Sequence, residues 1–231
     1  MTHDQNQDDA EASAASPGVI RIAVATQNPG KLREFADALA GLPFELVAAG
    51  DLGITEFPEE NGATYEENAL IKAGHIALTT GLPALSDDSG LEVDALAGAP
   101  GIYTARFGGP GLTDGERMAH LLQRLRKVPD AERTARFVAV IVLATPAGAV
   151  EAFRGESEGR VLQGPRGAHG FGYDPIFFST ELGKGFAEAT LAEKRGVSHR
   201  GRALAAFAAW ATTPTGTEVL LDTTPRQLDF D

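Results

Sequence analysis

A pair of adjacent carboxylates, Asp87 and Asp88, is the strongest sign of chemistry in this sequence. The pair follows a short apolar run, 82–85, and precedes Ser89 and Gly90. Mg²⁺ takes carboxylate oxygens and usually keeps waters and substrate phosphates, so a strand that ends in two acids before a turn suits this ion. The same residues also fit an ordinary Asp-Ser-Gly turn. A metal site is therefore predicted only if other segments supply the remaining parts of a site for a metal and its phosphate ligand.

A second segment, residues 26–31, joins a predicted strand to a predicted helix. Asn28 suits the N-cap and Pro29 the first helical position. Free N–H groups and the helix dipole attract anions to such a helix start, and Lys31 adds a full charge. The glycine spacing is not that of a Walker A loop. We interpret the segment as a phosphate-binding helix start, with an ordinary capped helix as the alternative.

An acidic loop, residues 56–60, precedes the next predicted helix. Thr64 and Glu67 have the spacing of a capping box, which predicts that a helix begins there. One carboxylate of the loop is a candidate metal ligand, and the others are expected to be solvated. Lys72, on the same helix, is a candidate phosphate contact, with a plain surface lysine as the alternative.

A glycine-rich segment, residues 167–175, surrounds the aromatic ring of Phe171. Glycines let a backbone approach a ligand closely, and an exposed ring gives a nucleobase a surface for stacking. The alternative is a hinge before the apolar residues 176–178.

A basic segment, residues 194–200, contains four cationic or potentially cationic groups in a protein whose net charge is -12. This concentration favours an anion or a polar base edge as ligand, with a solvated basic helix end as the alternative. Together the acidic pair, the helix start, the aromatic ring and the basic segment indicate a nucleoside triphosphate site.

Strands and helices must alternate to position these segments. The pattern predicts an α/β fold with a mixed sheet that contains a long hairpin. Residues 1–17 are predicted to be a disordered tail, 18–212 the folded domain and 213–231 a C-terminal tail. Strands are predicted at 19–25, 44–49, 135–144 and 149–155, and helices at 29–40, 64–80 and 201–211. Two further capping boxes, Thr113 with Glu116 and Thr190 with Glu193, predict further helix starts.

Composition excludes several classes of protein. The 231 residues, 43% of them hydrophobic, suit one globular domain, and the lack of cysteine excludes disulfides and thiolate metal sites. The negative net charge argues against binding to nucleic acid, which needs Lys and Arg to neutralise phosphates. We expect no membrane span and no signal peptide, and hence a cytoplasmic protein.

Six short motifs, in this order, resemble those of the inosine triphosphate pyrophosphatase family. They are TQNPGK at 26–31, EENALIKA at 66–73, SDDSGL at 86–91, PGIYTAR at 100–106, GFGYDPIF at 170–177 and SHRG at 198–201. The resemblance implies Mg²⁺-dependent hydrolysis of dITP, ITP and XTP to the nucleoside monophosphate and pyrophosphate. It also implies an elongated mixed β-sheet with flanking helices in two lobes, a ligand cleft between the lobes, and a homodimer.

The resemblance also implies roles for individual residues. Glu59 and Asp88 are expected to hold Mg²⁺, with Glu60 as the alternative to Glu59, and Asp88 also to activate water. Phe171 is expected to stack on the base, and His199 and Arg200 to donate to its 6-oxo group. A pyrophosphatase for pyrimidine or modified triphosphates, and a non-catalytic nucleotide-binding module, stay open as alternatives. The expected substrate-binding residues are Thr26, Gln27, Asn28, Pro29, Gly30, Lys31, Lys72, Ser89, Phe171, Gly172, Tyr173, Asp174, Lys194, His199 and Arg200.

Overall fold

The computed structural model describes residues 19–225 as a seven-stranded mixed sheet flanked by helices. The tail predicted at 1–17 lies outside the described residues. No helix within 19–225 is long and apolar enough to cross a membrane. The strands are β1 Ile20–Val24, β2 Phe44–Ala48, β3 Ala84–Val93, β4 Thr134–Ala144, β5 Val150–Val161, β6 Phe177–Ser179 and β7 Lys184–Gly185. The helices are α1 Pro29–Ala38, α2 Tyr65–Thr80, α3 Asp114–Arg124, α4 Leu191–Val197, α5 His199–Ala211 and α6 Pro214–Leu221.

The strand order is β2-β1-β3-β4-β5-β6-β7. Strands β2, β1 and β3 are parallel neighbours, and every pairing from β3 to β7 is antiparallel. The predicted hairpin is confirmed as β4 and β5, although β5 continues to Val161, beyond the predicted end at Gly155. The sheet is therefore mixed, as the sequence predicts.

Alternating side chains divide the core between the two faces of the sheet. On β1, Ile22 and Val24 enter one hydrophobic cluster together with α1, α5 and α6, whereas Ala23 enters a second cluster together with α2. A third cluster lies at the far ends of β3 and β4, where Leu91 pairs with Phe137. The middle of β3 connects the first two clusters to the third, so its side chains lie between two lobes.

The acidic motif was predicted to end a strand, but in the structure it forms the middle of one. Strand β3 runs through it, and Asp88 pairs with Val140 of β4. The antiparallel ladder overrides the turn tendency of Asp-Ser-Gly, because each buried backbone group finds a partner in the neighbouring strand. Gly90 is required for packing, since a Cβ there would lie 2.2 Å from the carbonyl oxygen of Gly101.

Two boundaries near the C-terminus differ from the prediction. Helix α5 begins at His199 instead of Gly201, because the Ser198 side chain caps it by accepting from the N–H of Gly201 at 3.0 Å. The segment predicted as a C-terminal tail contains α6, and its Leu220 is buried in the core beside α5. The single apolar stripe of so short a helix was too weak a signal to detect in the sequence.

Candidate functional site

A cavity of about 410 Å³ opens beside the middle of β3 and brings together most of the predicted site residues. Thr26, Gln27, Pro29, Gly30 and Glu59 are not among its lining residues. The predicted residues that line it are Asn28, Lys31, Glu60, Lys72, Asp88, Ser89, Phe171, Gly172, Tyr173, Asp174, Lys194, His199 and Arg200. The other lining residues include Ile102, Thr104, Ala105 and Arg106 from the PGIYTAR motif, and Asp114 and Arg117 from α3.

Asp87 is the buried centre of an ion-pair cluster at one side of the cavity. Arg200 contacts both of its oxygens, with Nε 3.2 Å from Oδ1 and Nη2 3.0 Å from Oδ2, and Lys31 Nζ lies 2.5 Å from Oδ2. Burial alone would raise the pKa of Asp87, but Arg200 and Lys31 outweigh it and hold that pKa well below its usual range. Asp87 is therefore a fixed anion that orients two cations toward the cavity.

Asp88, the next residue, has a different environment because its side chain points to the opposite face of β3. Burial raises the pKa of Asp88 to about 6, against the opposing charges of Lys72 and Lys31. Its Oδ2 accepts a hydrogen bond of 3.2 Å from the buried amide of Asn68, on α2. A carboxylate with a raised pKa at the wall of a cavity suits a general base.

The acidic loop contributes Glu60 to the cavity wall, whereas Glu59 is exposed to solvent. Glu60 Oε2 lies 3.1 Å from Lys72 Nζ, which also donates to the carbonyl oxygen of Asp87 at 3.0 Å. Lys72 is buried, so it is not the surface lysine of the alternative interpretation. Of the two residues considered, Glu60 has the better geometry for a metal ligand, because it faces the same cavity as Asp88.

The start of α1 uses its own donors internally. Asn28 Oδ1 accepts from the N–H groups of Gly30 at 2.8 Å and of Lys31 at 3.2 Å, and Gln27 donates to the carbonyl oxygen of Thr55. These N–H groups are the ones that an anion would have needed. Of residues 26–31, Asn28 and Lys31 line the cavity, while Thr26 Oγ1 accepts from the N–H of Asn28.

Gly30 instead gives room to the ring of Phe171. A Cβ on residue 30 would lie 2.5, 2.7 and 2.9 Å from three ring carbons. The ring also lies 5.1 Å from Lys194 Nζ, a cation–π distance. Phe171 is thus held between α1 and α4, at the wall of the cavity.

The loop that carries Phe171 is fixed by Asp174, which is buried. Its Oδ2 accepts from the N–H of Phe171 at 2.9 Å and pairs with Lys194 at 2.6 Å. Burial raises the pKa of Asp174, and Lys194 opposes this shift. The preceding residue, Tyr173, is buried in the core, and its hydroxyl donates to the carbonyl oxygen of Thr104. The backbone N–H of Gly172 donates to the side chain of Asp114.

Glu34 on α1 joins the two basic residues that the sequence assigned to the ligand. It pairs with Lys194 at 2.8 Å and with Arg200. Burial alone would raise the pKa of Glu34, but Arg200 and Lys194 lower it to about 2. The guanidinium of Arg200 is therefore occupied by two carboxylates, Glu34 and Asp87.

His199 is the predicted base-recognising residue that keeps a free polar atom. Its ring stacks on Phe137 with centroids 4.6 Å apart, and its buried Nδ1 has no hydrogen-bond partner among the described residues. Burial and the neighbouring Arg200 lower the pKa of His199 well below its usual value, so the ring is neutral. A neutral imidazole offers one donor and one acceptor.

Three residues with central contacts were missed as site residues: Glu34, Asn68 and Asp87. Asp87 was noted only as the neighbour of Asp88, although its strand position predicts that the two point to opposite faces. Glu34 lies one turn after Lys31 on α1, which is the one signal that could have found it. Asn68 carried no signal beyond its place in the EENALIKA motif.

Comparison with known proteins identifies the family to which this chain belongs. The model of the Ham1 family matches residues 22–210. A dITP/XTP pyrophosphatase of Thermus thermophilus is 54% identical over 188 residues, which are 81% of this chain and 90% of the relative. The chain belongs to the Ham1 family. The resemblance inferred from the six motifs is thereby confirmed.

Further Ham1-family relatives extend the likeness to the fold. A dITP/XTP pyrophosphatase of Geobacter sulfurreducens is 54% identical over 189 residues, covering 81% of this chain and 94% of the relative. The structure of a HAM1 protein from Coxiella burnetii matches with a TM-score of 0.74 and 40% identity, over 82% of this chain and 97% of that one. The predicted mixed sheet is the fold of this family.

Proposed function

We propose that this chain hydrolyses non-standard purine nucleoside triphosphates, namely dITP, ITP and XTP, to the monophosphate and pyrophosphate. The observation that carries the proposal is Asp88, a buried carboxylate with a raised pKa at the wall of a cavity that Lys31, Lys72 and Phe171 also line. The names of the relatives supply the substrate class. Removal of such nucleotides keeps them out of DNA and RNA.

The donor set of the cavity fits Mg²⁺. Among residues 19–225 no cluster of three or more metal-ligating side chains is present, but Glu60 and Asp88 face one cavity. Mg²⁺ is commonly bound through one or two carboxylates and completed by waters and substrate phosphates. When bound there, it would neutralise charge on the phosphate oxygens and on the leaving pyrophosphate.

Asp88 accepts a proton from the attacking water in this proposal. Its pKa of about 6 leaves it mostly ionised at neutral pH and makes it a stronger base than an ordinary aspartate. The water attacks the α-phosphorus, the bond from that phosphorus to the bridging oxygen breaks, and pyrophosphate leaves. Lys31 and Lys72 contact the phosphates, as do Ser89 and Lys194.

Base selection rests on Phe171 and His199. Phe171 supplies a stacking surface, and His199 offers a donor to the 6-oxo group of hypoxanthine or xanthine, which adenine lacks. A site built around such a hydrogen bond rejects the wrong base by roughly 10⁴-fold or more. Arg200 lines the same pocket and is the second proposed donor to the 6-oxo group. Glu34 and Asp87 hold its guanidinium in place.

The test is a substrate panel assayed with Mg²⁺ and with excess chelator. We expect kcat/KM for ITP, dITP and XTP to exceed that for ATP, GTP, dTTP and dUTP, with pyrophosphate as the product. Chelator should abolish turnover. Preference for a pyrimidine triphosphate would show that the proposed substrate class is wrong. Release of orthophosphate would show that the cleaved bond is not the one at the α-phosphorus. Binding of ITP without any turnover would contradict the enzymatic proposal.

A further inference from the structure

Helix α2 carries two polar side chains that face the site from one side. Asn68 and Lys72 are four residues apart, so they lie on the same face of the helix. Lys72 connects Glu60 of the acidic loop to the backbone of Asp87. Asn68 likewise connects that loop to β3, and no role in the site was assigned to Asn68 from the sequence.

The amide of Asn68 bridges the acidic loop and Asp88. Its Oδ1 accepts from the N–H of Gly62 at 2.8 Å, and its Nδ2 donates to Asp88 Oδ2 at 3.2 Å. The backbone N–H of Gly62 can only donate, so it fixes the orientation of the amide, and the NH₂ group must face the carboxylate. Asn68 is completely buried, and therefore neither bond is exchanged with bulk water.

The acidic loop is packed tightly against this amide. A Cβ on residue 62 would lie 2.9 Å from Asn68 Oδ1 and 2.6 Å from the Cβ of Glu67. Gly62 is two residues from Glu60, so a displacement of the loop at this point moves the carboxylate of Glu60. One side chain thus sets the positions of both candidate metal ligands, Asp88 and Glu60.

We propose that Asn68 is a positioning residue for the pyrophosphatase reaction, which aligns Asp88 and the Glu60 loop for a divalent cation and water. The inference rests on the proposed function. Asn68 does not touch the reacting atoms: it holds one oxygen of Asp88 by donation and fixes the loop by acceptance. Side chains that orient metal ligands in this way typically change metal affinity or activity by about 10- to 100-fold when they are replaced.

Two substitutions separate the two bonds. Asn68→Ala removes both, whereas Asn68→Asp keeps the shape and the acceptor for Gly62 but cannot donate to Asp88 while ionised. Thr64→Ala is the control, because Thr64 caps the same helix by accepting from the N–H of Glu67 and does not contact Asp88. Loss of this cap weakens the start of α2.

We expect both Asn68 variants to lower kcat by about 10-fold or more, with KM for ITP within about threefold of wild type. Calorimetric titration of Mg²⁺ into protein saturated with a non-hydrolysable α,β-methylene analogue of ITP should show about 10-fold weaker binding for Asn68→Ala. Thr64→Ala should lower the melting temperature and leave both properties unchanged.

Wild-type kcat and Mg²⁺ affinity in Asn68→Ala would overturn the positioning role. Wild-type kcat in Asn68→Asp would overturn the donation to Asp88 and leave only the contact with the loop. If Thr64→Ala lowers kcat and Mg²⁺ affinity as much as Asn68→Ala does, the stability of α2 alone explains the effect and the positioning role is overturned. The proposed function fails separately, if wild-type protein itself does not release pyrophosphate from ITP.

Discussion

Gly30→Ala tests whether α1 is the surface against which the ring of Phe171 packs. The Cβ of the new alanine would lie 2.5 to 2.9 Å from three carbons of the Phe171 ring. Ordinary contacts of this kind are about 3.5 to 4.0 Å, so the ring must move by about 1 Å. Phe171 cannot retreat freely, because its backbone N–H is bonded to the buried Asp174.

The magnitude follows from two opposing effects. Alanine is favoured over glycine within a helix by about 1 kcal/mol, whereas overpacking typically costs about 1 to 3 kcal/mol. A ring displaced by about 1 Å should weaken base stacking, which is worth about 1 to 3 kcal/mol per base. We therefore expect KM for ITP to rise by about 10-fold, with kcat within about threefold of wild type.

Gly115→Ala is a matched control. Gly115 is the second residue of α3, as Gly30 is of α1, and the nearest atom to a Cβ there is Thr113 Oγ1 at 4.0 Å. The assay is steady-state kinetics with ITP together with urea unfolding of both variants. If Gly30→Ala is as stable as Gly115→Ala and keeps the KM of wild type, the ring does not pack on Gly30 and the reasoning is refuted.

Three further predictions concern the carboxylates. Asp88→Asn should lower kcat by about 10²-fold or more while keeping affinity for a non-hydrolysable ITP analogue, and near-normal kcat would remove Asp88 as the base. Glu60→Gln should raise the half-saturating Mg²⁺ concentration by at least about 10-fold, with Glu59→Gln as the exposed control, and the reverse result would restore Glu59 as ligand. The pKa of Glu34 is lowered from 4.5 to about 2, so its stabilisation is complete above pH 4.5 and is lost as the pH falls toward 2. The shift corresponds to about 3 kcal/mol, and urea unfolding should show that Glu34→Gln loses much of the pH dependence of wild type in this range; parallel curves would contradict the assignment.

The elements with local signals were predictable from the sequence. The pairs Thr113 with Glu116 and Thr190 with Glu193 form the predicted capping boxes, and Thr64 caps α2. The middle of β3 was not predictable as strand, because its conformation is decided by pairing with β4 rather than by its own residues. Such tertiary pairing regularly overrides local propensity.

The site was predictable as a set of parts but not as a set of contacts. The motifs placed Lys31, Lys72 and Phe171 at the ligand, and all three line the cavity. The contact of Arg200 with Asp87 joins residues 113 positions apart, and no periodicity reveals which charges will be buried together. For the same reason the sequence could not show that Gly30 gives room to Phe171 rather than to a phosphate.

The arrangement of charge explains how an acidic protein can accept a triphosphate. Lys31, Lys72 and Lys194 each already pair with a carboxylate at the cavity. Within residues 19–225 Asp88 forms no salt bridge, so a cation is free to approach this carboxylate. A divalent ion bound between Asp88 and Glu60 would compete with Lys72 for Glu60. That competition would release the ammonium of Lys72 toward the phosphates, so metal and polyphosphate should bind with positive cooperativity rather than independently.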